Sequence, residues 1–264
     1  MTVTRLFNGT HLRADLMRTG APDLVVTFDW RVIGRRGFTK MTPNQRFLDA
    51  GYDQLMIATA ANDWFVNPDT TALEHALDGV SAQYDGVLGI GFSMGGYGAV
   101  RFSRTLGIQR IVAVSPQVSI SHAHAPFEWR YREEAAGFDP ALGDLTQRAD
   151  PDLTGHLLLD PLNSADLAHG RALQVHCPGL RLVRLTGAGH PASGLLRAVK
   201  RAGRIPGLLL DPEGGLRPLL QDHRSARRGQ PDYWTRLAAA LDARRPALAA
   251  KARARAADLA SQMR

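Results

Sequence analysis

One nine-residue segment, from Gly91 to Ala99, constrains the fold of this chain more than any other part of its sequence. It reads G-F-S-M-G-G-Y-G-A, follows the apolar run from Gly86 to Ile90 and opens a stretch of small residues suited to a helix start. Glycines are expected in a sharp strand-to-helix turn, because its backbone is strained and the helix packs closely against the strand. The segment therefore predicts such a turn, with the hydroxyl of Ser93 presented at its tip.

Apolar runs alternate with segments of helical periodicity along most of the chain. Predicted strands are residues 2–7, 11–17, 24–28, 54–59, 86–91, 108–115, 156–159 and 181–185, and predicted helices are residues 42–50, 70–82, 94–106, 167–173, 233–245 and 247–263. Asn8-Gly9 suits a tight hairpin turn between the first two strands. The later alternation at short spacing predicts right-handed βαβ units and an α/β fold with a mainly parallel sheet.

The 264 residues fit one α/β domain, since we see no linker that would divide residues 1–264. The alternation stops at residues 117–152, where aromatic side chains stand among mixed charges, and we interpret this stretch as a cap-like insertion over the sheet. Residues 196–264 are predicted to be a helical, basic C-terminal extension.

The net positive charge of the chain comes from its C-terminal quarter. Residues 191–264 hold 15 Lys and Arg against 6 Asp and Glu, whereas residues 1–190 hold 17 against 19. We favour a solvated helical face, because the segment lacks the interleaved aromatics that would stack on nucleic-acid bases. An anionic partner is the alternative, and the oligomeric state is left open.

A cytoplasmic location is expected on weak grounds. Cys177 is the single cysteine, so no internal disulfide can form. The N-terminal residues lack a basic region followed by an apolar core, which disfavours a secretory signal. No apolar run reaches about 18 residues, so a transmembrane segment is not expected.

His190 is the candidate base among nine histidines. It follows the last predicted strand in the sequence L-T-G-A-G-H-P, where Gly187 and Gly189 free the loop to place an imidazole at the edge of the sheet. Catalytic groups of open α/β sheets gather at the carboxyl ends of the strands. No histidine pair has metal-ligand spacing supported by further ligands, so we expect neither a metal nor another cofactor.

Two aspartates are candidates for the acid that orients the base. Asp160 ends a predicted strand and Asp166 starts the next helix, where it is also a suitable N-cap. Both lie between Ser93 and His190 in the chain, and the sequence does not decide between them.

Backbone amides near the serine are expected to stabilise a developing oxyanion. Met94 follows the serine and supplies the first amide, and Trp30 is the first choice for the second, with Asp29 next. The segment 62–64 follows another strand end, so Asn62, Asp63 and Trp64 contact a substrate or, equally well, cap a turn and pack into the core.

The strand order, the G-F-S-M-G segment and the G-A-G-H segment after the final strand resemble the α/β-hydrolase family over residues 1–195. The resemblance implies an eight-stranded sheet and a Ser–Asp–His triad, which carries over onto Ser93, His190 and either Asp160 or Asp166. The chain departs from the family where F-D-W-R replaces an H-G-G-type oxyanion motif, and in its basic extension.

These observations predict a cofactor-independent serine hydrolase that cleaves a small ester, thioester or amide through an acyl-enzyme on Ser93. One alternative is an acyltransferase that uses the same triad. The other is a non-catalytic binding protein on the same fold, since fold alone never fixes function.

Overall fold

The computed structural model describes residues 2–40 and 42–262. Over these residues, eight strands form one sheet. The strands are β1 (Thr2–Asn8), β2 (Leu12–Arg18), β3 (Asp23–Phe28), β4 (Tyr52–Thr59), β5 (Gly86–Phe92), β6 (Arg110–Val114), β7 (Thr154–Leu159) and β8 (Leu180–Arg184). Every predicted strand is present, with small shifts at its ends.

The strands lie side by side in the order β1-β2-β4-β3-β5-β6-β7-β8. Strand β2 pairs antiparallel with both β1 and β4. The other neighbouring pairs, β4–β3, β3–β5, β5–β6, β6–β7 and β7–β8, are all parallel. The predictions of eight strands, of a mainly parallel sheet and of an antiparallel pair at one edge are therefore confirmed. The parallel arrangement brings the carboxyl ends of β3 to β8 to one edge of the sheet.

Helices flank this sheet on both faces. In chain order they are α1 (Gln45–Asp49), α2 (Thr70–Leu77), α3 (Met94–Arg101), α4 (Arg132–Ala135), α5 (Leu145–Arg148), α6 (Ser164–His176), α7 (Gly194–Ala198), α8 (Arg204–Leu210), α9 (Pro212–Gly229), α10 (Pro231–Leu241) and α11 (Pro246–Gln262). Helix α2 ends earlier than predicted, because Asp78 is extended and Gly79 has a φ of 73°. The final helix was predicted to end at Met263, which lies outside the described residues. Within the described part of the chain, no helix is long and apolar enough to cross a membrane.

Each face of the sheet carries its own hydrophobic cluster. On one face Phe28 of β3 packs against Phe102, just after α3. On the other face Ile90 of β5 lies in a cluster with Ile205 and Leu208 of α8. The first part of the predicted C-terminal extension therefore belongs to the core, because its apolar side chains cover one face of the sheet.

The stretch 117–152, predicted to lie over the sheet, consists of loops and the short helices α4 and α5. Its side chains Tyr131, Phe138 and Leu145 are buried in the same cluster as Phe28. Tyr97 of α3 donates a hydrogen bond from its hydroxyl to the carbonyl of Gly143, at 2.7 Å. The stretch is thus packed against the sheet and α3, with buried contacts along its length.

Helix α3 approaches the end of β3 very closely at Gly95. A Cβ atom added to Gly95 would lie 2.7 Å from the carbonyl oxygens of both Phe28 and Asp29. Both neighbours are backbone atoms at the end of a buried strand, so they have little room to move. Glycine at this position is what allows the helix to begin beside β3.

We predict that Gly95→Ala lowers the free energy of unfolding by about 1–3 kcal/mol, because the added methyl group overpacks a rigid contact. Urea denaturation measures this change. Gly137→Ala is the matched control, since a Cβ atom there would meet nothing within 4 Å. Equal effects of the two substitutions would contradict the proposed steric cause.

Candidate active site

Ser93 stands between the end of β5 and the first residue of α3. Its backbone has φ 51° and ψ −116°, an unusual conformation for a residue with a side chain. A Cβ atom on Gly91 would clash with the carbonyl oxygen of Gly95 across the turn. The sharp strand-to-helix turn predicted from the sequence is therefore present, and it needs glycine on both sides of Ser93.

Ser93, His190 and Asp166 form a chain of hydrogen bonds. The Oγ atom of Ser93 lies 2.9 Å from Nε2 of His190. The Nδ1 atom of His190 lies 2.9 Å from Oδ2 of Asp166. A carboxylate only accepts, so Nδ1 carries the proton and Nε2 presents a lone pair to the serine hydroxyl. This is the arrangement in which an imidazole can take a proton from a serine.

Asp166 is buried, at 1% exposure, in the first turn of α6. Burial opposes its ionisation, but the hydrogen bond from His190 and the charge of Arg130 outweigh burial and hold the pKa of Asp166 below its usual value. The carboxylate is therefore charged near neutral pH. The N-cap of α6 is Asn163 rather than Asp166. The side chain of Asn163 accepts a hydrogen bond from the backbone amide of Asp166 at 3.2 Å.

Asp160 occupies a different position from Asp166. Its two carboxylate oxygens accept hydrogen bonds from the amides of Gly187 and Gly189, each at 2.8 Å. These glycines have φ of 77° and 78°, which permits the tight loop that leads to His190. In this structure Asp160 shapes the loop, while Asp166 contacts the imidazole, so the geometry separates two acids that the sequence left equivalent.

The predicted oxyanion donors differ in their availability. Met94 is the first residue of α3, where a backbone N–H has no partner within the helix. The N–H of Trp30, by contrast, donates to Oδ1 of Asp29 at 3.0 Å. The N–H of Asp29 donates to the carbonyl of Ile57. Contrary to expectation, both amides proposed for the second donor are engaged in this geometry.

A buried ion pair accounts for the conformation after β3. Nη1 of Arg35 lies 2.7 Å from Oδ2 of Asp29, and both side chains are 2% exposed. The same arginine donates to the carbonyl of Thr59 at 2.7 Å. Asp29 is thus held where its other oxygen meets the Trp30 amide. A sequence motif does not reveal this pair, because Arg35 lies in a loop without regular periodicity.

Residues 62–64, in the loop after β4, make structural contacts. Trp64 is fully buried and donates from Nε1 to Oε1 of Gln117 at 2.9 Å. Asp63 accepts from the hydroxyl of Thr59 at 2.8 Å. Asn62 accepts from the amide of Val32 at 3.0 Å. Of the two interpretations of this segment, packing and turn formation fit these contacts.

Gln117 is a site residue that the sequence analysis missed. It is fully buried, and its Nε2 lies 3.0 Å from the carbonyl of Ser115 and 3.5 Å from Oγ of Ser93. The indole of Trp64 only donates and a carbonyl only accepts, so the two ends of the amide are assigned unambiguously. An N–H of Gln117 therefore faces the serine oxygen.

The stretch 117–152 contributes two further side chains. The hydroxyl of Tyr131 lies 3.1 Å from Nε2 of His190, and its ring packs against Trp64 with centroids 4.7 Å apart. Burial raises the pKa of Tyr131, so its hydroxyl stays protonated. Arg130 lies beside the other ring nitrogen of His190: its Nη1 is 3.4 Å from Nδ1 and 2.7 Å from Oδ1 of Asp166. No sequence signal marked either residue, because this stretch lacks a helical or strand period.

A cavity of about 620 Å³ opens beside Ser93. Its lining is mainly apolar and includes two arginines and no acidic side chain: Trp30, Arg31, Val32, Ile33, Phe92, Ser93, Tyr131, His190, Pro191, Ser193 and Arg197. A volume of this order is typical of small-molecule sites. Among the residues that the structure describes, no cluster of three or more His, Cys, Asp or Glu could hold a metal ion.

No protein-family model matches the sequence, and no curated protein matches it with significance. The structure is similar to the capsule O-acetyltransferase of Neisseria meningitidis serogroup A in complex with CoA, with a TM-score of 0.53 and 14% identity over 78% of this chain and 94% of that chain. It is also similar to a putative thioesterase from Silicibacter, with a TM-score of 0.50 and 16% identity over 80% of this chain and 81% of that chain.

A third similar structure is an α/β-hydrolase enzyme from a Medee basin deep-sea metagenome library, with a TM-score of 0.44 and 14% identity over 76% of this chain and 90% of that chain. At these identities the likeness concerns the fold. The strand order and the helices on both faces of the sheet are those of the α/β-hydrolase fold, so the resemblance seen in the sequence is confirmed at the level of the fold.

Glu128 provides a prediction about pH. Burial alone would raise its pKa, but hydrogen bonds from His169 and Arg130 outweigh burial and lower the pKa of Glu128 to about 2. A depressed pKa stabilises the fold above the unfolded-state value of about 4.5, and this contribution disappears as the pH falls towards 2. We predict that Glu128→Gln lowers the free energy of unfolding by about 3 kcal/mol near pH 6.

The difference from wild type should shrink steadily between pH 4.5 and pH 2. Urea denaturation of both proteins at a series of pH values measures this difference. Glu133→Gln, an exposed position on α4, is the matched control. A difference for Glu128→Gln that stays constant across the acidic range would contradict the assigned pKa.

Proposed function

We propose that the protein is a serine hydrolase that cleaves an ester, thioester or amide through an acyl-enzyme on Ser93. The observation that carries this proposal is the unbroken chain of hydrogen bonds from Ser93 through His190 to Asp166, with distances of 2.9 Å at each step. The sharp turn at Ser93 is then a nucleophile elbow. Similar structures that are named as a thioesterase and an O-acetyltransferase support acyl chemistry on this fold.

The reaction follows from the tautomer of His190. Oγ of Ser93 attacks the carbonyl carbon of the substrate, and its proton passes to Nε2 of His190. The tetrahedral intermediate carries its negative charge on the former carbonyl oxygen, towards the amide of Met94. When the intermediate collapses, the leaving group takes the proton from Nε2. Water then attacks the acyl-enzyme, gives its proton to Nε2, and the acid is released as the proton returns to Ser93.

The charge of Asp166 has a defined role in these steps. It stabilises the imidazolium form of His190, which exists in both tetrahedral intermediates, and it keeps the proton on Nδ1 in the resting state. The cavity beside Ser93 is mainly apolar, which favours an apolar acyl group, because a polar group against its apolar side chains would lose hydration without gaining a hydrogen bond. We therefore propose esters or thioesters of apolar acids as the substrate class.

An acyltransferase is the second candidate, because the O-acetyltransferase structure has a TM-score of 0.53, against 0.50 for the thioesterase structure. The chemistry to the acyl-enzyme is the same, and the difference lies in whether water or an alcohol attacks it. Release of acid from a p-nitrophenyl ester, with and without added alcohols, separates the two. A transferase forms the new ester in preference to the acid.

We predict that a fluorophosphonate probe labels the wild-type protein and that Ser93→Ala abolishes labelling, because the probe reacts only with an activated serine. His190→Ala should slow labelling by several orders of magnitude. Intact-protein and peptide mass spectrometry identify the labelled residue. Ser225→Ala, on the exposed side of α9, is the control and should be labelled as wild type is. A wild-type protein that is not labelled would point to the non-catalytic alternative.

The two aspartates give a further prediction. Asp166→Asn should lower the labelling rate by roughly four orders of magnitude, because an amide stabilises the wrong tautomer of His190. Asp160→Asn should act mainly on stability, by about 1–3 kcal/mol, since its NH₂ group would face the amide of Gly187 or Gly189 without a hydrogen bond. The rate of probe labelling and urea denaturation, measured for both variants, test these two predictions. Slower labelling of Asp160→Asn than of Asp166→Asn would reverse the assignment.

A further inference from the structure

The guanidinium of Arg130 holds two buried carboxylates at once. Its Nη1 atom lies 2.7 Å from Oδ1 of Asp166. On its other side, Nη2 lies 2.6 Å from Oε2 of Glu128 and Nε lies 2.9 Å from Oε1 of the same residue. The planar fork of an arginine is suited to such paired contacts, whereas a lysine offers one point of charge. Arg130 therefore links the candidate triad acid to Glu128 with fixed geometry.

The far end of this network is fixed by main chain. Oε2 of Glu128 lies 2.8 Å from Nε2 of His169, and Nδ1 of His169 accepts from the amide of Val118 at 3.1 Å. An amide only donates, so Nδ1 is unprotonated and the proton of a neutral ring lies on Nε2, facing Glu128. Burial lowers the pKa of His169, in keeping with a neutral ring. The network thus extends from the backbone of Val118 to Asp166 without a break.

Asp166 has two donors that approach from different directions. Nδ1 of His190 lies 2.9 Å from Oδ2 and 3.1 Å from Oδ1, and Nη1 of Arg130 lies 2.7 Å from Oδ1. A carboxylate held at one oxygen can still rotate about its Cβ–Cγ bond, but two donors in different directions fix its plane. The plane of the Asp166 carboxylate in turn sets the direction of the imidazole, and so the position of Nε2 relative to Ser93.

We propose that Arg130 is a positioning residue that fixes the carboxylate of Asp166 and, through it, the imidazole of His190. This inference rests on the proposed function, because its effect is measured on the reactivity of Ser93. It assigns a part in the site to the stretch 117–152, beyond covering the sheet. Arg130 acts through Asp166: its Nη1 also lies 3.4 Å from Nδ1 of His190, but both of these nitrogens are donors, so no hydrogen bond joins them. The guanidinium lies on the side of the imidazole away from Ser93.

The test compares Arg130→Ala and Arg130→Lys with wild type in the rate of fluorophosphonate labelling at Ser93. Arg130→Ala should be labelled about 10- to 100-fold more slowly, the effect expected for loss of a hydrogen bond to a charged group. Added guanidinium, below its denaturing concentration, should restore part of that rate by occupying the vacated position. Arg130→Lys should lie between the two, since one ammonium cannot hold both carboxylates in the same geometry.

Arg132→Ala is the matched control, because Arg132 is an exposed arginine two residues along the same segment. It should be labelled at the wild-type rate with or without guanidinium. Labelling of folded Arg130→Ala at the Arg132→Ala rate would overturn the proposal. A slow Arg130→Ala that guanidinium does not accelerate would also overturn it, since the loss would then come from a displaced segment.

Urea denaturation shows which variants are folded. If Arg130→Ala does not fold, Arg130→Lys decides: labelling several-fold slower than wild type supports the proposal, and labelling at the wild-type rate overturns it. Failure of the proposed function has a different signature. In that case the wild-type protein itself is not labelled at Ser93.

Discussion

The parallel register of β5, β6, β7 and β8 is the constraint on which the candidate site depends. The ladder of main-chain hydrogen bonds continues one residue beyond the strands: the amide of Ser93 donates to Val114 at 2.8 Å, and the amide of Leu185 donates to Leu159 at 2.8 Å. Ser93 is therefore fixed by the sheet itself. The loop that carries His190 starts from the same edge, and Asp160, directly after β7, holds that loop through two backbone amides.

What the sequence could predict is what local patterns encode. A buried strand in a parallel sheet is a short apolar run, and the parallel strands β3 to β8 were visible as such. The antiparallel pair β1 and β2 was indicated by the turn dipeptide Asn8-Gly9 between them. Ser93 and His190 were also visible, because a strand end followed by glycines is a local feature. Asp160 and Asp166 both follow β7, so only the folded loop distinguishes the acid that bonds to main chain from the acid that bonds to the imidazole.

The remaining parts of the site depend on contacts between distant segments. Arg130 and Tyr131 come from a stretch without regular periodicity, and they meet His190 about 60 residues along the chain. Gln117 faces Ser93 because Trp64 fixes its amide from a third segment. The amide of Trp30 was expected to be available, but Arg35 holds Asp29 against it. No pattern within a short window of sequence carries such information.

Packing at the C-terminal helices adds a second restraint on the loop before His190. A Cβ atom on Gly187 would clash with the ring of Tyr233, and Nη1 of Arg236 donates to the carbonyl of Gly187 at 3.1 Å. Helix α10 therefore closes over the outside of the loop whose inside is held by Asp160. Arg236 is thus a basic side chain of the C-terminal extension that contacts the protein itself rather than solvent alone. The imidazole of His190 is thus positioned from three directions: by its loop, by α10 outside that loop, and by the carboxylate that Arg130 holds.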